Sequence, residues 1–201
     1  MKNKNEAAKY FTQKNIGPVD IVAGVLLVAA IILILINDGF SRVYYLGLAL
    51  FPAAVLVFSR TSKISDSDYE SIVRRIASDN EIPLSGEYVS AEYDLERETR
   101  RLGRDQRARS DVFVVARFGF ASHKCCLSRW EINVPENSAK LEEYEFDASA
   151  KAELVKGEVV ISQKKRETAV IAIPAEGGTV RIPVSPRSTD GDEILERFSR
   201  L

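Results

Sequence analysis

From Val19 to Ile36 the chain carries one charged residue, Asp20 near its start, and every later position is apolar or glycine. A helix that is apolar on all sides has no face to offer water. Roughly 18 residues at 1.5 Å each reach about 27 Å, close to the ~30 Å of hydrocarbon in a bilayer. A second run, Val43 to Phe58, is shorter, about 24 Å as a helix, and follows after a few polar residues. The pattern predicts a transmembrane helical hairpin with spans at 19–36 and 43–58. Pro18 suits a first helical turn, where its missing N–H is not needed, and Asp20 complements a helix N-terminus. Asn37-Asp38-Gly39 predicts the end of the first helix, and Tyr44 and Tyr45 the start of the second at interfacial depth. Pro52 frees the carbonyl of Leu48 and predicts a kink. Gly47, Ala53 and Ala54 are small enough to admit a neighbouring helix, the first of the pair or one from another subunit, and are the helix-packing candidates.

After Phe58 the period changes. Ser65 to Asn80 places Tyr69, Ile72, Val73 and Ile76 on one helical face, with Ser67 and Glu70 at capping-box spacing. Seven short segments follow that are β-branched or aromatic and roughly alternating: 86–93, 111–120, 125–134, 142–147, 157–163, 168–174 and 179–184. The Ala175-Glu176-Gly177-Gly178 stretch between the last two predicts a hairpin turn whose glycines take positive φ. The segment Ser188 to Leu201 closes the chain as a helix with Asp190 and Glu193 at its start and an apolar stripe of Ile194, Leu195, Phe198 and Leu201. These elements describe a mostly antiparallel β domain, barrel or sandwich, with a short leading helix and a C-terminal helix.

Charge then orients the chain. Lys2, Lys4, Lys9 and Lys14 precede the first run, Arg60 and Lys63 follow the second, and the link between them holds only Arg42. By the positive-inside rule both termini face the cytoplasm, which predicts an integral membrane protein with a cytoplasmic segment 1–18, the hairpin 19–58 and a cytoplasmic domain 59–201. The first run is too long for the apolar stretch of a cleaved signal peptide, and a second run follows it, so the hairpin is expected to stay as an anchor. A formal net charge of −1 and a pI near 6.0 give no general case for nucleic-acid binding. Two cysteines make no disulfide framework. His123, Cys125 and Cys126 cluster, but adjacent cysteines on a strand point to opposite faces and no second cluster completes a metal site, so no metal and no cofactor are expected. The expected arrangement is one cysteine in the core and one facing out near a turn. No phosphate loop, dinucleotide fingerprint or nucleophile elbow is present in the sequence, and the chain reads as non-enzymatic.

The ending Thr179 to Leu201, a last strand, a proline-bearing link and an acidic-capped helix, resembles the ending of bacterial pleckstrin-homology-like domains, and the order of about seven strands before one helix is similar to theirs. The resemblance implies a small barrel plugged at one end by the helix, and a two-helix anchor in a bacterial inner membrane. It has no diagnostic motif and transfers no ligand residue.

One charged stretch stands out. Between Arg97 and Arg109 six arginines, Arg97, Arg100, Arg101, Arg104, Arg107 and Arg109, face only Glu98 and Asp105. Beside an anionic leaflet they are candidates to bind lipid headgroups or an acidic partner. The competing reading is a self-paired helix or long loop, because Glu96 with Arg100, Glu98 with Arg101 and Asp105 with Arg109 have i,i+3 or i,i+4 spacing. No aromatic residues interleave to stack bases, so nucleic acid is not an expected partner. The functional expectation is a membrane-anchored binding or scaffold module that contacts membrane lipids, an integral-membrane protein partner or a second copy. Its alternative is an accessory subunit of a larger membrane complex.

Overall fold

The computed structural model describes residues 4–13, 18–36, 42–60, 64–147 and 150–200, and within these the side chains of 4–6, 18–20, 43 and 56–60 are not described. Two compact units result: Thr12–Ile64, and Met1–Phe11 together with Ser65–Leu201.

The first unit is a helical hairpin of α2 (Pro18–Ile36) and α3 (Arg42–Arg60). Proline opens α2, as its fixed φ favours. Small residues set the approach. Gly47 is buried, and a Cβ placed on it would sit 3.1 Å from the Ala30 carbonyl oxygen and 3.0 Å from Ile34 Cγ1. Ala30 is itself buried, and Ala23 and Ala54, two helical turns from Ala30 and Gly47 respectively, are also buried. Ala54 thus joins Gly47 in the contact, whereas Ala53 is exposed. At the unit's ends the Gln13 side chain clasps the backbone of Ile64, donating to its carbonyl at 2.6 Å and accepting from its N–H at 2.9 Å.

The expectation of two membrane spans is corrected here. Among the described residues no helix is long and apolar enough to cross a membrane. Pro52 lies inside α3, where it removes one bond of the helix ladder. The integral-membrane placement with both termini cytoplasmic rested on those spans and falls with them. Asn37-Asp38-Gly39, Lys2, Lys14 and Lys63 lie outside the described residues.

The second unit starts with α1 (Lys4–Thr12) and α4 (Asp66–Asp79). Ser65 caps α4: its hydroxyl accepts from Asp68 N–H at 3.1 Å, and the Asp68 carboxylate accepts from Ser65 N–H at 3.1 Å. The capping box is thus two residues earlier than its expected position at Ser67 and Glu70. The strands are β1 (Val89–Tyr93), β2 (Arg100–Leu102), β3 (Ala108–Ser110), β4 (Val112–Ala121), β5 (Lys124–Asn133), β6 (Ser138–Asp147), β7 (Glu153–Ile161), β8 (Lys164–Ala175) and β9 (Gly178–Val184), followed by α5 (Asp190–Phe198). They form separate antiparallel ladders, β1-β4-β5-β6, β2-β3 and β7-β8-β9. Each of the seven expected segments contains a strand, but 86–88 precede β1, Ser162 and Gln163 form the turn after β7, and β2 and β3 are additional. Gly177, with φ +97°, sits in the two-residue turn between β8 and β9.

The two larger sheets share one core. Ala116, Phe118, Cys125, Leu127 and Phe146 of the first meet Ala169, Ile171, Ile173, Val180, Ile182 and Val184 of the second. Ser90 Oγ donates to the Pro183 carbonyl at 2.8 Å, joining β1 to β9. Helix α5 closes one end through Ile194 and Phe198. The Phe198 ring stands edge-on to Phe118, Phe120 and Phe146, with centroids 6.2, 5.6 and 6.1 Å away. Its start packs tightly too, since a Cβ on Gly191 would lie 3.3 Å from Val184 Cγ2.

Two predictions follow from packing. Gly47→Leu forces α2 and α3 apart at a cost of about 1–3 kcal/mol, and amide exchange should quicken in both helices while the sheets stay protected. Phe198→Ala removes the aromatic plug and should lower stability by about 3–5 kcal/mol in urea unfolding.

Candidate functional site

The arginine stretch is neither a helix nor a free loop. It is the hairpin β2–β3, with Arg101 opposite Arg109 and Arg100 opposite Ser110. Strand geometry has a period of two, so most of the helical pairings have no basis. Glu96 pairs instead with Arg181, its Oε2 accepting from Arg181 Nε at 2.8 Å, and Glu98 is exposed. Only Asp105 with Arg109 forms, because Asp105 sits in the turn that leads into β3. The pair is bidentate, at 2.9 and 2.7 Å.

Arg109 is 1% exposed. A guanidinium cannot be buried uncompensated, and here Asp105 and Glu70 of α4 both accept from it. Burial works to lower its pKa, but the bonds to the two carboxylates outweigh this and keep it charged. In return, the bond from Arg109 holds the Asp105 carboxyl down at about 2. Gly103 is needed at the turn because a Cβ there would collide with the Arg109 guanidinium and stand 2.6 Å from Asp105 Oδ1 and 2.8 Å from Asp66 Oδ2. Asp66 adds a second tie: its carboxylate accepts from the backbone N–H of Arg104 at 2.7 Å and from the Tyr10 hydroxyl at 2.8 Å.

The remaining arginines divide. Arg101 lies over the Tyr10 ring, 5.0 Å from its centre, and donates to the Tyr10 carbonyl. Arg100 donates to the Leu95 carbonyl at 2.8 Å. Arg97 pairs with Asp94 at 3.3 Å and Glu131 at 2.7 Å. Arg104 and Arg107 have exposed side chains, Arg107 at 3.9 Å from Glu70. Behind the hairpin Tyr10, Tyr69 and Tyr93 form a stack, with neighbouring centroids 4.4 and 6.2 Å apart. Burial raises all three phenol pKa values, and Tyr69 donates to the Ser110 carbonyl at 2.8 Å. Helix α1 was missed in the sequence, although Ala7, Tyr10 and Phe11 have the i,i+3,i+4 spacing that marks an apolar helical face.

The cysteines follow the expected division, Cys125 buried and Cys126 exposed. Burial pushes the Cys125 thiol up to about 12, so it is not a thiolate at neutral pH. Among the described residues no group of three metal-ligating side chains comes together.

Two surfaces remain open. The first is a groove of about 610 Å³ in the β unit, lined by Pro83, Ser85 to Val89, Arg117 to Phe120 and Arg197. A smaller one of about 320 Å³ lies along the same segment, with Asp190, Glu193 and Ile194 among its lining. The second surface is the exterior of the hairpin unit. On α2 the residues Ile21, Val25, Val28, Ile32 and Leu35 are 47–78% exposed, and their 4-3-4-3 spacing makes one straight seam. On α3, Tyr45, Leu46, Leu48, Phe51 and Val55 are also exposed. No protein family, curated protein or solved structure matches this chain.

Removing the buried cation should unbalance its partners. Arg109→Ala is expected to cost about 3 kcal/mol in urea unfolding, the low end for a broken buried pair because Glu70 and Asp105 can rehydrate. Asp105 has a folded pKa of about 2 against an ordinary 3.8, so its contribution is complete above pH 4 and fades as pH falls towards 2. Stability measured from pH 5 to pH 2 should therefore fall less steeply in Asp105→Asn than in the unaltered chain.

Proposed function

We propose that this protein is a non-enzymatic scaffold or accessory subunit, held by its helical hairpin against apolar helices of a partner protein while the β unit presents a binding surface. The observation that carries this reading is the apolar exterior of α2 and α3. A continuous apolar surface of this extent marks an interaction site, because water does not stabilise it. The 4-3-4-3 seam on α2 fits another helix through knobs-into-holes packing, and it holds no charge that a partner helix would have to match.

The perturbed groups have causes within the fold. The raised tyrosines, the depressed Asp105 and the raised Cys125 each owe their shift to burial or to an ion pair within the fold. The pleckstrin-homology-like reading draws support from element order: a four-stranded antiparallel sheet interrupted by one hairpin, a three-stranded one, then the C-terminal helix. Headgroup binding by the arginine stretch has less in its favour, since Arg97, Arg100, Arg101 and Arg109 bond within the unit.

The test is co-purification of the full-length chain in mild non-ionic detergent, with a photo-crosslinker at Val25, on the same seam. The expected result is a defined partner cross-linked through α2 and lost on Val28→Glu with Ile32→Glu, but kept on Val160→Glu, an exposed apolar position in β7. A doubly substituted chain that keeps the same partner would contradict the reading.

A further inference from the structure

The floor of the larger groove is an unfinished sheet edge. Strand β1 pairs with β4 only from Val89 opposite Arg117 to Tyr93 opposite Phe113, whereas β4 runs on to Ala121 and stays paired with β5 to its end. One further bond, from Phe118 N–H to the Tyr88 carbonyl at 3.0 Å, continues the β1 side. Alternation along a strand turns the main-chain groups of Phe120 to the same side as those of Phe118, away from β5. No segment of the described chain continues the pairing there.

The edge is open because the chain leaves it abruptly. Tyr88 has φ +53° and Gly86 φ +153°. A left-handed conformation is unusual for a bulky aromatic residue and is found where surrounding structure enforces it. Here the Tyr88 ring is held edge-on to Phe120, with centroids 5.1 Å apart. The strand predicted from Gly86 therefore begins at Val89, and residues 83–88 form the opposite wall of the groove.

The rim carries charge. Arg117 and Arg197 line the groove with exposed side chains, and neither is ion-paired among the described residues. Glu87 is the one acidic residue in the lining, so positive charge prevails. An exposed edge with flanking pockets is how extended peptides are captured by strand addition: backbone bonds give affinity, and side chains outside the ladder give selection. We propose that this groove binds a short extended acidic segment of a partner protein, which adds to β4 beside Phe120 in continuation of β1 and places its carboxylates on Arg117 and Arg197. The site lies wholly in the β unit, so it stands or falls apart from the role of the hairpin.

The test uses full-length protein in non-ionic detergent and a labelled peptide of alternating valine and glutamate. Comparison probes are its lysine counterpart, an N-methylated version, inorganic phosphate and anionic phospholipid vesicles. The glutamate peptide is expected to bind and to slow exchange of the Phe120 amide. The lysine and N-methylated peptides should bind about tenfold or more weakly, and Arg117→Ala or Arg197→Ala should each weaken the glutamate peptide about five- to tenfold at low salt. Phosphate should not compete. Both arginines are exposed, so the variants should unfold as the parent does, and a variant with lowered stability is replaced by Arg→Gln at the same position. Any of four results overturns the proposal: no peptide binding at millimolar concentration, equal binding of the lysine or N-methylated peptide, unchanged Phe120 exchange at saturation, or capture of vesicles through Arg117 and Arg197 without the peptide.

Discussion

The β unit depends on one buried guanidinium. Arg109 is charged and almost fully enclosed, so the elements that carry its counter-charges must be in place for the unit to fold. Asp105 comes from the turn of the same hairpin and Glu70 from α4, and both are close because Gly103 leaves room for the cluster. Asp66, one helical turn before Glu70, binds the backbone of that turn and the Tyr10 hydroxyl. A single polar network thereby ties α1, α4 and β2–β3 together. The stacked tyrosines lie on its buried side, where Arg109 is 1% exposed, while Glu70 and Asp105 keep contact with water.

This network exists because the four-stranded sheet is covered on both faces. In β5, Leu127 and Ile132 are both fully buried yet point to opposite sides. Leu127 joins the core shared with the second sheet. Ile132 shares its face with Tyr93 and Phe113, and Tyr93 meets Tyr69 of α4. The leading helix is therefore a second layer on the sheet. At the other end α5 supplies Phe198 to the first core, so each helix covers apolar surface that the strands alone leave open.

Much of this was legible in the sequence. The seven main strands announce themselves through alternation of β-branched and aromatic residues, and α4 and α5 through their apolar stripes, because half-buried elements leave their period in the chain. The arginine hairpin was hidden for a physical reason: β2 and β3 are three residues each, too short to show a period, and their charges happen to fall at helical spacing. Spacing also carries no information on burial, so nothing in the run distinguishes Arg109 from exposed Arg107. The start of β1 was misplaced because the left-handed turn at Tyr88 is enforced by the Phe120 ring, far along the chain. The apolar runs predicted helices correctly. Among the described residues, however, no helix is long and apolar enough to make the span expected of them.

Charge and apolarity are thus placed opposite to what a first reading of composition suggests. The most basic stretch of the sequence buries Arg109 and bonds Arg97, Arg100 and Arg101 within the unit, while the most apolar helices turn Ile21, Val25, Val28, Ile32 and Leu35 outward. Folding satisfies local rules wherever it can, and departures from them concentrate where a protein meets something else. Two departures remain after the fold is accounted for: the uncovered seam of α2 and the forced turn at Tyr88 that exposes an edge of β4. In the proposed function the seam selects by shape and apolarity, with no polar group to fix direction. In the proposed strand addition the edge selects by backbone bonds and by the charges of Arg117 and Arg197, which do fix direction. The two proposed roles together would let one partner hold the chain without discrimination of sequence while the sequence of another is read, which is the combination a scaffold requires.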